Sequence, residues 1–172
     1  MHLTVNGQEV RVGPAGHETL LDLLRNTLGL TGTKRVCDRG ACGACTVLLD
    51  GEPVYSCLTL ANGCDGRSVT TIEGIDGVGV ASKSAGTTGE SAGEVTQAAS
   101  VPHPLQAAFV REDAAQCGFC TPGQLMAAAA LLASDPSPDD DDIRAAMSGN
   151  LCRCGTYPKI LRAIRSVADG HA

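Results

Sequence analysis

Alternating apolar and polar positions open the chain. His2-Leu3-Thr4-Val5 and Glu9-Val10-Arg11-Val12 each follow a period of two, and Asn6-Gly7 between them tolerates the positive φ of a two-residue turn, which predicts a β-hairpin. The period then lengthens. Leu20, Leu21, Leu24 and Leu28 share one face of a short helix over 20–28, with Thr19 as its cap and Gly29 as its stop. From Val36 to Cys45 no period survives, and Gly40 and Gly43 mark a tight loop. Strand patterning returns at Thr46-Val47-Leu48-Leu49, turns at Asp50-Gly51, resumes at Pro53-Val54-Tyr55, and closes with a strand over Ser68–Ile72. A mixed sheet with one helix in a short span predicts a small α+β domain over residues 1–75.

Residues 76–100 break with this pattern. Gly, Ser, Ala and Thr dominate there, and the composition reads as a solvated linker, or as a strand that orders on binding. Helical patterning fills 101–172. His103-Pro104 opens a segment through Arg111. Thr121-Pro122-Gly123-Gln124 reads as a capping box before Leu125–Ala133, and Ser137-Pro138-Asp139-Asp140 repeats that logic before a helix to Met147. Thr156-Tyr157-Pro158 opens the last helix, with Ile160, Leu161, Ile164 and Val167 on its apolar face. Four helices with short connections predict a four-helix bundle. The acidic run Asp139–Asp142 could suggest a metal site, but carboxylates in a first turn more commonly complement the helix dipole.

Composition narrows the possibilities. In 172 residues there is no Trp, with two Phe, two Tyr and nine Cys, so the core lacks the aromatic bulk that usually supplies buried area. Bound metal can supply folding free energy instead. A net charge of −6 and the lack of a basic stripe argue against a nucleic-acid surface. The first residues lack the cationic and long apolar segments of a signal peptide, and the longest apolar stretch, Leu125–Ala133, is too short to span a bilayer. A cytoplasmic location follows as the expectation, and in that reducing compartment cysteines serve as ligands more often than as disulfides.

Eight cysteines fall into two groups of four. Cys37, Cys42, Cys45 and then Cys57 reproduce the C-x4-C-x2-C…C spacing of plant-type [2Fe–2S] ferredoxins. Three thiolates from one loop must wrap closely around a binuclear cluster, and Gly40 and Gly43 let backbone N–H groups approach its sulfurs. The second group pairs Cys117-x2-Cys120 with Cys152-x-Cys154, each pair just ahead of a predicted helix N-terminus, where negative charge is favoured. Taken alone, this second group leaves structural zinc open, although Cys-x-Cys is a tight bite for a zinc finger. Cys64 is left over and reads as a small buried apolar residue. His2, His17, His103 and His171 are scattered and read as surface or capping residues.

The segments Cys37-Asp38-Arg39-Gly40-Ala41-Cys42-Gly43-Ala44-Cys45-Thr46-Val47, Ser56-Cys57-Leu58-Thr59-Leu60-Ala61, Gln116-Cys117-Gly118-Phe119-Cys120-Thr121-Pro122-Gly123 and Gly149-Asn150-Leu151-Cys152-Arg153-Cys154-Gly155-Thr156-Tyr157 occur in that order. Together they resemble the iron–sulfur small subunit of the xanthine dehydrogenase / aldehyde oxidase / carbon monoxide dehydrogenase family of molybdenum hydroxylases. The resemblance covers nearly all of the chain outside 76–100. It implies a β-grasp ferredoxin-like domain followed by a helical domain, each holding one [2Fe–2S] cluster. It also implies a large molybdopterin-binding subunit, with the cofactor as its cytosine dinucleotide, a medium FAD-binding subunit, and a heterotrimer dimerised to a hexamer. Gln116 would hydrogen-bond the pterin, and Cys154 would be the cluster ligand nearest to it. Two departures stand out: Val36 where the family commonly has Gly, and a connector longer than usual. No general base, nucleophile or substrate pocket is readable in the chain, which fits an electron-relay subunit whose chemistry belongs to a cofactor on another chain. A free-standing two-cluster carrier and a zinc-stapled interaction module are the competing functions.

Overall fold

The computed structural model describes residues 1–79 and 102–170, so most of the predicted linker lies outside the described residues. Five strands form one mixed sheet: β1 (His2–Val5), β2 (Gln8–Arg11), β3 (Thr46–Leu49), β4 (Glu52–Tyr55) and β5 (Ser68–Thr70), in the order β2-β1-β5-β3-β4. β1 pairs in parallel with β5, and the remaining pairs are antiparallel. Both predicted hairpin turns are present. Asn6 and Gly7 adopt φ of 51° and 78°, and Asp50 and Gly51 adopt 54° and 88°, the left-handed pair whose twist matches that of the flanking strands. β5 ends at Thr70, two residues before the predicted end.

The predicted 20–28 helix is only partly α-helical. Thr19 caps it as expected, its hydroxyl accepting from the Asp22 N–H at 3.1 Å, but after α1 (Leu20–Asp22) the coil widens to π geometry over Leu23–Thr27. The wider turn buries Leu20, Leu21, Leu23 and Leu24 rather than one α-helical stripe.

Four further helices follow: α2 (Pro104–Arg111), α3 (Thr121–Ser134), α4 (Asp140–Met147) and α5 (Tyr157–Ala168). Two of the predicted caps are placed differently. Thr121 is the first helical residue of α3 rather than its cap, and Gln124 turns away from the helix end to donate to the Asn150 carbonyl at 2.7 Å. The capping box of α4 is formed by Asp139 and Asp142, two residues beyond Ser137. The acidic run is thereby accounted for: Asp139 accepts from the N–H groups of Asp141 and Asp142, while Asp140 and Asp141 pair with Arg144 and Asp140 also with Arg165. His103 caps α2, accepting from the Leu105 N–H at 3.2 Å.

Two large apolar clusters fill the molecule. One lies between α1 and one face of the sheet and includes Leu3, Val5, Leu20, Leu24, Val47, Leu49 and the unassigned Cys64. The other is shared by the four helices, with Ala128, Ala129, Leu132, Ile143, Ile160 and Ile164 at its centre. The second cluster also takes in Leu48 and Ile75. β3 is therefore buried on both faces: Val47 and Leu49 point one way and Leu48 the other, against α3. Small side chains let α3 lie close to the strand, which is how a chain poor in aromatic residues still closes its core.

Candidate metal centres

The first four cysteines are brought together by the loop between α1 and β3 and by the end of β4. Cys45 and Cys57 are buried beside Leu21 and Tyr55, while Cys37 and Cys42 are partly open. The amides of this loop are directed at sulfur. The Arg39 N–H is the largest influence on Cys37, bringing its thiol down to about 7; burial works against this, and the Cys42 thiol with the amides of Ala41 and Cys42 works for it. The Ala41 N lies 3.3 Å from Cys37 Sγ. Cys57 is pushed up to about 11, first by burial and then by its neighbour Cys45, against the Gly40 amide. Four consecutive N–H groups, from Arg39 to Cys42, thus point at the sulfurs of Cys37 or Cys57. Such a nest of amides is an anion site. Asp38, Gly40 and Gly43, at φ of 55°, 71° and 70°, supply the left-handed residues that fold it.

The second four are gathered from two loops, one before α3 and one before α5. Cys120 is pushed up to about 12, chiefly by burial, then by its hydrogen bond to Cys152 and by the charges of Cys152 and Cys117. Cys152 falls to about 7: burial raises it, but the hydroxyl and N–H of Thr156, the Cys120 thiol and the Cys154 N–H outweigh that. Cys117 is exposed and Cys154 half-buried, with exposed Gln116, Phe119 and Leu151 nearby in sequence. Cys120 directly precedes α3, and Cys152 and Cys154 lie on the bend just ahead of α5, as the spacing predicts.

The donor set suits a binuclear iron–sulfur cluster at each place. Each group is four thiols and no other ligand type, with the sulfurs paired as Cys37–Cys42, Cys45–Cys57 and Cys120–Cys152 beside N–H donors that favour a negative centre. Among the described residues, no three His, Cys, Asp or Glu side chains converge tightly enough to hold a single ion.

The two loops also touch. The Leu151 N–H donates to the Cys42 carbonyl at 2.9 Å, and Asn150 Nδ2 donates to the Gly43 carbonyl at 3.0 Å and to Thr46 Oγ1 at 3.2 Å. Tyr55 Oη donates to the Gly149 carbonyl at 3.2 Å. Gly123 brings the first turn of α3 against the same point: a Cβ there would collide with the Gly43 carbonyl oxygen and lie 3.1 Å from Ala44 Cα. Sequence patterning does not single out Asn150 or Tyr55 for this role, because contacts 94 to 107 positions apart leave no local period.

Comparison with known proteins places the chain among iron–sulfur proteins. Residues 3–67 match the family described as "2Fe-2S iron-sulfur cluster binding domain", and residues 88–165 match that described as "[2Fe-2S] binding domain". One of the nicotinate dehydrogenase subunits of Pseudomonas putida is 46% identical, over 97% of this chain and 93% of that one. The aldehyde oxidoreductase iron-sulfur-binding subunit of Escherichia coli is 40% identical, over 96% of this chain and 70% of that one. The crystal structure of quinoline 2-oxidoreductase from Pseudomonas putida 86 superposes with a TM-score of 0.81 at 41% identity, covering all of this chain and 93% of that one. Sequence and fold agree over nearly the full length, and the chain belongs to the iron–sulfur small subunits of the xanthine dehydrogenase / aldehyde oxidase family of molybdenum hydroxylases.

Proposed function

We propose that this chain is the electron-transfer subunit of a molybdenum hydroxylase, carrying electrons from a molybdopterin site on a large partner subunit to FAD or another acceptor. When bound, the two [2Fe–2S] clusters supply one-electron storage. The observation that carries this reading is the direct contact of the two cysteine loops through the Leu151 N–H and the Cys42 carbonyl. Cys37, Cys42, Cys45 and Cys57 hold the cluster on the sheet side, in what we read as a β-grasp domain over residues 1–75. Cys117, Cys120, Cys152 and Cys154 hold the other, in a four-helix bundle over residues 101–172. Gln116 and Cys154 lie at or near the surface, which suits an approach by the partner's pterin, in its cytosine dinucleotide form. A medium FAD subunit would dock on the sheet side, in a heterotrimer that pairs into a hexamer. Cysteines used as cluster ligands rather than as disulfides suit a reducing compartment, so we place the complex in the cytoplasm. Among the described residues, no helix is long and apolar enough to cross a membrane.

Iron and acid-labile sulfide analysis tests the cluster assignment: about four of each per chain is expected for two binuclear clusters, and zinc without visible absorbance would overturn it. Size-exclusion chromatography tests the partners, because a chain that always runs alone, without a molybdenum-containing companion, is not part of such a complex. Cys154→Ser is expected to leave the spectrum of the sheet-side cluster intact while blocking its reduction by substrate. Loss of both clusters together would show that the halves load as one unit, which the core shared through Leu48 and Ile75 makes a real alternative.

A further inference from the structure

Thr156 occupies the N-cap of α5, where a threonine hydroxyl ordinarily accepts from an N–H of the first turn. It makes no such bond. Its hydroxyl instead lies 3.2 Å from Cys152 Sγ, and the residue is only 3% exposed. A hydroxyl beside a metal-bound thiolate has one role available to it: the sulfur has no proton, so the hydroxyl must donate.

The surroundings sharpen this. The Cys152 N–H, which could have turned toward sulfur, donates at 2.8 Å to Tyr157 Oη. The Cys120 thiol, now a donor to Cys152, loses its proton once it binds iron. The donors left to Cys152 Sγ in the loaded protein are the N–H groups of Thr156 and Cys154 and the Thr156 hydroxyl. Only the last can be removed without altering the main chain. The sheet-side group differs, since the donors to Cys37 other than its neighbour Cys42 are backbone amides.

We infer that Thr156 is a positioning residue that raises the reduction potential of the helical-side cluster by donating a hydrogen bond to Cys152 Sγ. Reduction adds negative charge to the cluster, and a hydrogen bond to a ligand sulfur stabilises that charge. Loss of the donor makes the cluster harder to reduce, while the sheet-side cluster, held by other amides, keeps its potential. The inference rests on the cluster assignment above.

The test is an EPR-monitored redox titration of the purified complex carrying Thr156→Val, Thr156→Ser or the native residue, with iron content measured on the same samples. Valine keeps the branched shape and lacks the donor, and serine restores it. Thr156→Val is expected to disfavour reduction of the helical-side cluster about tenfold, a fall of about 59 mV for one electron, with the other cluster unmoved and Thr156→Ser close to native. An unchanged potential in Thr156→Val, an equal shift of both clusters, or a serine variant that behaves like valine overturns the inference. Should Thr156→Val lose iron, Thr156→Ala is titrated in its place; if both lose iron and serine retains it, Thr156 is a loading residue and the inference falls. Native protein without iron would overturn the cluster assignment itself, a separate outcome from iron present with no shift.

Discussion

Gly43→Ala is expected to lower Tm by about 10 °C and to reduce the iron content of both cysteine groups. Two separate effects meet at this position. Gly43 has φ of 70°, and placing an L-residue in that region costs about 1–2 kcal/mol. The added Cβ would also lie 2.5 Å from the Gly149 carbonyl oxygen and 2.7 Å from Asn150 Cγ. The first of these is main chain and the second belongs to a buried side chain that bonds Gly43 itself, so neither can swing aside. Overpacking of this kind costs about 1–3 kcal/mol, and a total of about 3 kcal/mol corresponds to roughly 10 °C in a chain of this length. Gly51→Ala is the control. It too has positive φ, at 88°, but its Cβ would meet nothing within 4 Å, so only the backbone part is lost. Equal melting shifts in the two variants would show that the contact between the loops is unimportant.

Anaerobic removal of iron is expected to leave most of the far-UV circular dichroism in place while lowering Tm by at least roughly 10 °C, as bound metal contributes folding free energy. The two large apolar clusters contain none of the eight cysteines proposed as ligands, so sheet and helices retain their packing. The third cluster consists of Leu21, Cys45 and Cys57 with Tyr55 against them, and it loses its reason to stay closed. The amides of residues 39–42 have sulfur as their acceptor. Hydrogen exchange at those amides should rise sharply on iron removal, whereas amides within β1 and α3 stay protected. Exchange that rises uniformly along the chain would mean instead that the metal holds the whole fold.

Much of this is legible in the sequence, for reasons that differ from one residue to the next. Asn6-Gly7 and Asp50-Gly51 announce their turns because positive φ narrows the choice of residue at the turn itself. The two cysteine groups stand out because their members are spaced a few residues apart on short loops, a spacing we read as that of cluster ligands. Thr121 misleads because Pro122 and Gln124 imitate a capping box, while a tertiary partner, the Asn150 carbonyl, claims the Gln124 amide. Leu23 escapes the predicted apolar face because the α1 coil widens to π geometry, which no α-helical period encodes. Leu48 in the helical core and Gly123 against Gly43 are invisible in the pattern because both are consequences of how distant segments meet.

The contact between the cysteine loops has a main-chain part, the Leu151 N–H on the Cys42 carbonyl and Gly123 against the Gly43 carbonyl, and it is locked by the side chains of Asn150 and Tyr55. Other surrounding side chains can change without altering how far apart the two cysteine groups sit, as long as the backbone contact and the bonds of Asn150 and Tyr55 remain. Relatives acting on quite different substrates could therefore share one fixed tunnelling distance, leaving evolution free to rework the surfaces at either end.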